Sequence, residues 1–457
     1  MLMRRLAMDY LVSWKNNPRR KPLVFRGARQ VGKSYLARKF AELHMGGIAE
    51  INLEKTPEAG DLFADKSPMK ILPRLEMLTG TKIIPGKTLL FLDEIQATPD
   101  VFASLRYFHE VIPSLHIIAA GSLLEFVLCE HDFSMPVGRI EYLHLGPVTY
   151  EEFLAGSGRV HLAEFLGQHE VVNELPLPVH EQFMGAFREY LAIGGMPEAI
   201  QAFVDSSSFL ETDKVKQSIL STYQDDFSKY GKRVNVQRLR HVFQKLPMLV
   251  GGKFMHSRVD NDAQARDIGE ALRMLCLAKV ACKVHHSSCN GVPLSAEADE
   301  KKFKVLFLDV GLLSRACGLS LLEFEKAQDI MLVNSGAVCE QFIGQHLLYS
   351  KQFFDDPELH YWSREKRQSS AEVDYVLSQG NQIIPVEVKA GKTGRLKSLH
   401  AFLKEKKRKF GIRFNSDLPS LLDTAAVLPT EESIDYRLLS LPLYMVGQLR
   451  RLIRSSI

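Results

Sequence analysis

The sequence predicts an α/β protein of several domains, led by a parallel sheet and closed by a smaller α/β unit. Three observations predict it. A glycine-rich turn, "GARQVGKS", joins an apolar strand to an amphipathic helix near the start of the chain. Apolar strands such as "LLFL" and "HIIAA" then alternate with helices, the pattern of parallel strands buried on both faces. Late in the chain, "EVDYVLSQGNQIIPVEVKAG" alternates charged and apolar residues. Glu387 and Lys389 therefore share one face of a strand, and Val386 and Val388 the other.

At 457 residues the chain exceeds one core, so two to four domains are expected. The pattern changes at three places, which divides it into 1–149, 150–231, 232–330 and 331–457. A hydrophobic content of 46% and a charged content of 25% are ordinary for a soluble protein. The net charge of +4 permits nucleic acid as a partner without demanding it. No stretch reaches the ~18–20 apolar residues of a membrane span, and the N-terminal segment lacks the apolar core of a signal peptide. A cytoplasmic protein with no membrane partner is expected. The six cysteines form no CxxC pair. Cys282 and Cys289 lie near His285 and His286 without a second ligand pair at zinc spacing, so reduced thiols are expected there.

Gly27, Gly32, Lys33 and Ser34 satisfy G-x-x-x-x-G-K-[ST] between a strand and a helix, the context this motif requires. Residues Gly27, Ala28, Arg29, Gln30, Val31, Gly32, Lys33, Ser34 and Tyr35 would form the cradle. Backbone N–H groups at a helix N-terminus wrap phosphates, and glycine stands where a side chain would clash. Lys33 would bring its charge to the β and γ phosphates, and the Ser34 hydroxyl would hold Mg²⁺. In "KTLLFLDEIQATPD", a buried strand delivers Asp93 and Glu94 at its C-terminal end. Asp93 would bind Mg²⁺, and Glu94 would orient the attacking water. "LHIIAAGSLLEF" is a further buried strand, expected between the first and third. Ser122 at its end is either a polar sensor of the γ-phosphate or a helix N-cap. "IAEINLE" and "RIEYLHLGP" complete a five-strand set.

These segments, with "PVGRIEYLHLGPVTYEEFL", "YLAIGGMPEAI" and "AEVDYVL…IPVEVKAGK", resemble the prokaryotic AAA+ ATPases that carry a C-terminal domain of unknown function with a nuclease-like fold. The resemblance spans most of the chain. It implies ATP binding and hydrolysis with Mg²⁺, a helical lid over 150–231 and a winged-helix-like unit over 232–330. Arg139 matches the arginine that ends the sensor-like segment, and would reach a γ-phosphate in cis or from a neighbour in a homo-oligomer. The alternative is a surface salt bridge, and Arg106 is a rival.

From Thr149 the pattern is helical, with Thr149 and Glu152 as a capping box. Gly194-Gly195-Met196-Pro197 is either a lid element or a packing turn. The two aspartates of "TYQDDFSKY" are expected on a solvated face. Over 232–330, helices followed by strands fit a winged helix, in which Arg258, Arg266 and Arg273 would face phosphates if the module docks DNA.

Over 331–457 the expected order is helix, three strands, helix, and it resembles the PD-(D/E)xK nuclease core. Carried over by position, Asp374 and Glu387 would chelate Mg²⁺ or Mn²⁺ with Glu340, and Lys389 would orient water or phosphate. From Lys389 to Arg413 there are ten Lys or Arg and one acid, either a strip for a phosphate backbone or a solvated helix. The function expected is an ATPase coupled to DNA binding or remodelling. The alternatives are a nucleotide switch that binds a protein partner, and an ATP-gated metal-dependent nuclease.

Overall fold

The computed structural model describes residues 4–130, 136, 138–229, 235–319, 335–365, 370–391, 396–427 and 433–457. Its first sheet holds β1 (Leu23–Arg26), β2 (Gly47–Asn52), β3 (Thr88–Asp93), β4 (His116–Ala120) and β5 (Glu141–His144). The strands are parallel, in the order β2-β3-β4-β1-β5, so β4 is inserted between β1 and β3 as expected. Every residue of β3 and β4 is buried. Alternate residues feed two cores. Leu23, Phe25, Leu89 and Phe91 pack with Leu36 and Phe40 of the helix Lys33–His44. Val24, Leu90 and Leu92 pack with Phe102, Leu105 and Phe108 of the helix Pro99–Val111. The period-2 alternation therefore covers both faces and leaves the strand ends to carry chemistry.

Helices Tyr150–Gly156, Val160–Gln168, Leu177–Ile193, Pro197–Ser206 and Phe209–Asp225 follow. Thr149 and Glu152 form the expected capping box. Glu152 has further work, since Oε2 accepts from Arg5 Nε (3.0 Å) and Oε1 from the Leu6 N–H (2.6 Å). Gly194 and Gly195 make a packing turn. A Cβ on Gly194 would stand 2.2 Å from Asp309 Oδ1, and the Gly195 N–H donates to Asp309 Oδ2 at 2.6 Å.

The second sheet has eight strands: β6 (Ala281–Ser287), β7 (Ala298–Phe307), β8 (Leu359–Arg364), β9 (Ala371–Gln379), β10 (Gln382–Val388), β11 (Phe410–Asn415), β12 (Ser420–Val427) and β13 (Ser433–Pro442). Their order is β12-β13-β11-β10-β9-β8-β6-β7. The helix Ser335–Leu348 precedes β8, and the helix Lys397–Glu405 follows β10, so the helix, three strands, helix order is present. Helices Val236–Lys245, His256–Val259 and Ala265–Leu277 lead into the hairpin β6–β7. That hairpin is not confined to a middle unit. β6 pairs in parallel with β8, so a boundary at 330/331 cuts through one sheet. Backbone pairing decides this, and a chain-order reading of composition has no access to it.

One apolar cluster also runs through the nucleotide sheet, the helices and the second sheet, from Ala7 to Ile453. The helix Leu449–Ser456 returns to the helical segment. Just before it, Gln448 Nε2 donates to Glu151 Oε1 (3.1 Å), and Arg451 reaches Glu170 Oε1 (2.6 Å) and the His169 carbonyl (2.7 Å). Among the described residues no helix is long and apolar enough to cross a membrane.

Candidate nucleotide site and acidic pocket

The loop from Gly27 to Gly32 leaves β1 at its C-terminal end and opens the helix at Lys33. Gly27 has φ +150°, and a Cβ there would lie 2.2 Å from the Leu145 carbonyl oxygen. Gly32 sits at φ +92° in the left-handed region that glycine tolerates. Three side chains hold the loop by its carbonyls. Arg5 Nη1 donates to Val31 O (2.8 Å) and Tyr223 Oη to Arg29 O (2.7 Å), while Lys33 Nζ folds back onto Gly27 O (3.0 Å) and Ala28 O (2.6 Å). Burial pushes the Lys33 ammonium down to about 8, against the pull of Glu94 and Asp93. Ala28 and Val31 are buried under the loop, and Gln30 takes φ +63°. Tyr35 points outward, 46% exposed.

The strand ends bring the other expected residues together. Ser34 Oγ lies 3.0 Å from both Asp93 oxygens. Burial raises the Asp93 carboxyl, and the Ser34 hydrogen bond works against that rise. A hydroxyl and a carboxylate converging at the loop's end suit a hard cation such as Mg²⁺, and these two residues would hold it beside the phosphates. Glu94 has φ +52°, which turns its side chain across to β4. Its Oε2 accepts from Gln96 Nε2 (2.6 Å) and Ser122 Oγ (3.1 Å). Ser122 Oγ accepts in turn from Arg29 Nε (3.1 Å), and the Arg29 guanidinium pairs with Asp226. A polar line thus runs Asp226–Arg29–Ser122–Glu94, from the helical segment to the candidate base.

Arg139 lies elsewhere. It precedes β5, which runs parallel to β1, so it sits at the N-terminal edge of the sheet, opposite the cradle. It is exposed and bonded to Glu110 Oε1 at 2.8 Å. Within one chain it does not line the nucleotide site. Arg106 stacks on Tyr107, with its guanidinium 4.5 Å from the ring centre.

Sequence reasoning missed Arg5, Gln96, Tyr223 and Asp226. Asp226 is buried, not solvated, and its place was readable. Residues 219, 220, 223 and 227 are apolar or aromatic at helical spacing, which sets Asp226 beside the core face. Arg5 carried no local signal.

The second expected site is built differently from its expectation. Asp374 Oδ2 accepts from the Val388 N–H (2.8 Å), and Glu387 Oε1 accepts from Lys389 Nζ (2.6 Å). Into this pocket β7 inserts Lys304, which is buried. Its Nζ stands 2.6 Å from Glu372 Oε1, 3.6 Å from Glu340 Oε2 and 3.7 Å from Asp374 Oδ1. Burial opposes the charge, but Glu340, Asp374 and Glu372 outweigh it and hold the ammonium above its ordinary pKa. Burial and Asp374 push Glu340 up to about 8 and Glu387 up to about 7. Among the described residues no group of three or more His, Cys, Asp or Glu is arranged to hold a metal. The Lys304 ammonium stands between Glu340 and Asp374, where a divalent ion shared by the two would have to sit, while Glu387 Oε2 is buried with no hydrogen-bond partner. The described cysteines are free, and burial pushes the Cys282 thiol up to about 12.

The basic strip is partly engaged. Lys406 lies 3.5 Å from Glu405 and 3.0 Å from Asn290 Oδ1, and Arg413 Nε donates to Ser440 Oγ (3.2 Å). Lys392 and Arg395 lie outside the described residues. Lys407, Arg408 and Lys409 line a cleft of about 870 Å³ with Arg437, Asp423 and Asp435. On the helix Ala265–Leu277, exposed Arg266 and Arg273 alternate with Asp267 and Glu270, and Arg273 pairs with Glu270 at 2.8 Å. Arg258 is exposed on the short helix before it.

A phosphate loop at a helix N-terminus, with Ser34, Asp93 and Glu94 at the C-terminal edge of a parallel sheet, is the arrangement of a P-loop nucleoside triphosphatase. Residues 19–154 match the family model described as an AAA domain, and the protein is an ATPase, an enzyme that binds and hydrolyses ATP. Residues 184–323 and 335–433 match two domains of unknown function, DUF8612 and DUF4143. No curated protein matches the chain. Among solved structures it is similar to the Walker-type ATPase of Pyrococcus abyssi, with 14% identity over 69% of this chain and 96% of that one, and a TM-score of 0.44. It is also similar to the ORC2 protein of Aeropyrum pernix (13%, 70% and 93%, TM-score 0.32). A third is the RuvB Holliday junction branch migration motor of Thermotoga maritima (13%, 62% and 90%, TM-score 0.27).

Proposed function

We propose that this ATPase couples turnover to work on DNA, through movement of the helical segment that grips its phosphate loop. The observation that carries the coupling is the double hold on Arg29. Its carbonyl is bonded by Tyr223 and its guanidinium is paired with Asp226, both at the end of that segment. Any shift of the loop on binding or losing the γ-phosphate is felt there directly. Lys33 would neutralise the β and γ phosphates, Ser34 and Asp93 would hold Mg²⁺, and Glu94 would polarise the attacking water, with Ser122 as its partner. Bound Mg²⁺ would supply charge neutralisation at the phosphates. Arg139, exposed on the far edge, is available to a neighbouring subunit in a homo-oligomer.

The unit 150–231 would act as the lid. The helices and hairpin of 232–330 have the order of a winged helix, and 331–457 has that of a PD-(D/E)xK fold. The cleft at Lys407, Arg408 and Lys409 supports DNA as the load, since cations clustered on one rim suit a phosphate backbone. The test is ATPase rate with and without duplex, single-stranded and four-way DNA across a salt series. DNA-stimulated turnover that fades with salt supports the proposal, and a rate indifferent to all three overturns it. A second reading, a nucleotide switch for a protein partner, is favoured by the charge-balanced face of the helix Ala265–Leu277, which offers no run of bare arginines to a groove.

A further inference from the structure

We infer that the acidic pocket of the C-terminal unit carries its own cation, the ammonium of Lys304, and that a divalent metal enters only where that ammonium is removed. The pocket lies away from the nucleotide cradle, and the inference stands independently of the DNA reading.

Geometry carries the argument. Glu340 comes from the helix Ser335–Leu348, Glu372 and Asp374 from β9, and Lys304 from β7, at the far edge of the sheet. The lysine side chain is 4% exposed, and its Nζ lies within 3.7 Å of all three acids. Its flank is closed by the Tyr361 ring, whose centre is 5.5 Å from Nζ. A buried ammonium survives only where acids surround it, and the two more enclosed acids, Glu340 and Asp374, in turn need a cation beside them. Each explains the other. A divalent ion bound to Asp374 Oδ1 and Glu340 Oε2 would face this ammonium within about 4 Å. Repulsion at that range in a poorly solvated pocket excludes joint occupancy. The remaining acid is half engaged: Glu387 Oε1 is bonded to Lys389, while its Oε2 is buried with no hydrogen-bond partner. These ion pairs also tie β7 to the helix and to β9, three elements that backbone pairing does not join directly.

The test counts Mn²⁺ bound to the full chain without nucleotide or DNA, by the loss of the free-ion electron paramagnetic resonance signal. The wild type is expected to show no site that Asp374→Asn removes. Lys304→Met is expected to gain one Mn²⁺ per chain, lost again in Lys304→Met with Asp374→Asn. Wild-type binding that Asp374→Asn abolishes would overturn the inference, and so would a folded Lys304→Met that binds none. Should Lys304→Met fail to fold, thermal unfolding of the wild type decides. An unmoved midpoint in Mn²⁺ supports the ammonium, and an upward shift that Asp374→Asn cancels overturns it.

Discussion

Ser122 Oγ donates to Glu94 Oε2 at 3.1 Å, joining the end of β4 to the end of β3 beside the phosphate loop. The serine is a partner of the candidate base, a more specific role than capping a helix. Glu94→Gln keeps the shape and the hydrogen bond but cannot draw a proton from water. It is expected to bind ATP with near-wild-type affinity and to turn over at least ~100-fold more slowly. Equilibrium nucleotide binding and phosphate release, measured together, check both halves.

Lys33 is buried with its ammonium pushed down to about 8. Lys33→Ala is expected to abolish nucleotide binding in a fluorescent-nucleotide titration. The same burial has a pH signature. Between pH 8 and the lysine's ordinary 10.5, the unfolded chain holds a proton that the native chain has released. The ligand-free protein should therefore gain stability across that window, and Lys33→Ala should lose that gain. Urea unfolding at both ends of the window reads it.

Asp226 pairs with Arg29 where both are largely buried. Asp226→Ala leaves a guanidinium without its acid and is expected to cost about 3 kcal/mol. Tyr223→Phe removes one hydrogen bond to the loop and should cost about 1 kcal/mol. Denaturant midpoints test the order, and equal costs would mean that the ion pair is solvated.

Arg139→Ala removes an exposed bridge to Glu110, so stability should change by less than ~1 kcal/mol. Turnover of dilute protein should be unaffected. A defect that grows with protein concentration is the expected mark of an arginine working across a subunit boundary. A defect already present in the dilute monomer would place it in its own cradle.

His346 accepts from the Tyr150 N–H at Nε2 (3.0 Å) and bonds Phe342 O through Nδ1 (2.8 Å). Both nitrogens are used by the neutral ring, and burial pushes its pKa down to about 4. From pH 6.5 down to 4 the unfolded chain takes up a proton that the native ring refuses. Stability should fall by up to about 3 kcal/mol from this residue. His346→Gln should flatten that part of the slope in urea titrations, and an unchanged slope would assign it to other groups.

What was legible in the sequence was what lies close along it. The phosphate loop, the strand that ends in Asp93 and Glu94, and the insertion of β4 could be read because strand period and motif spacing are local. The C-terminal order of helix and strands was legible for the same reason. Lys304 was not. It sits in "KKFKVLF", whose alternation fits a strand as well as its two neighbouring lysines do, and its acids come from 36 and 70 residues further on. Arg5 and Asp226 are hidden for the same physical reason: a lone charge gives no local sign that the fold will bury it against a partner.

The pairing of Gln448 with Glu151 has a consequence in time. The two partners are 297 residues apart. At ribosomal speeds of about 5–20 residues per second, Glu151 waits roughly 15–60 s for the residue that covers it. For that interval the side of the helical segment that Gln448 covers stands open beside the finished nucleotide half.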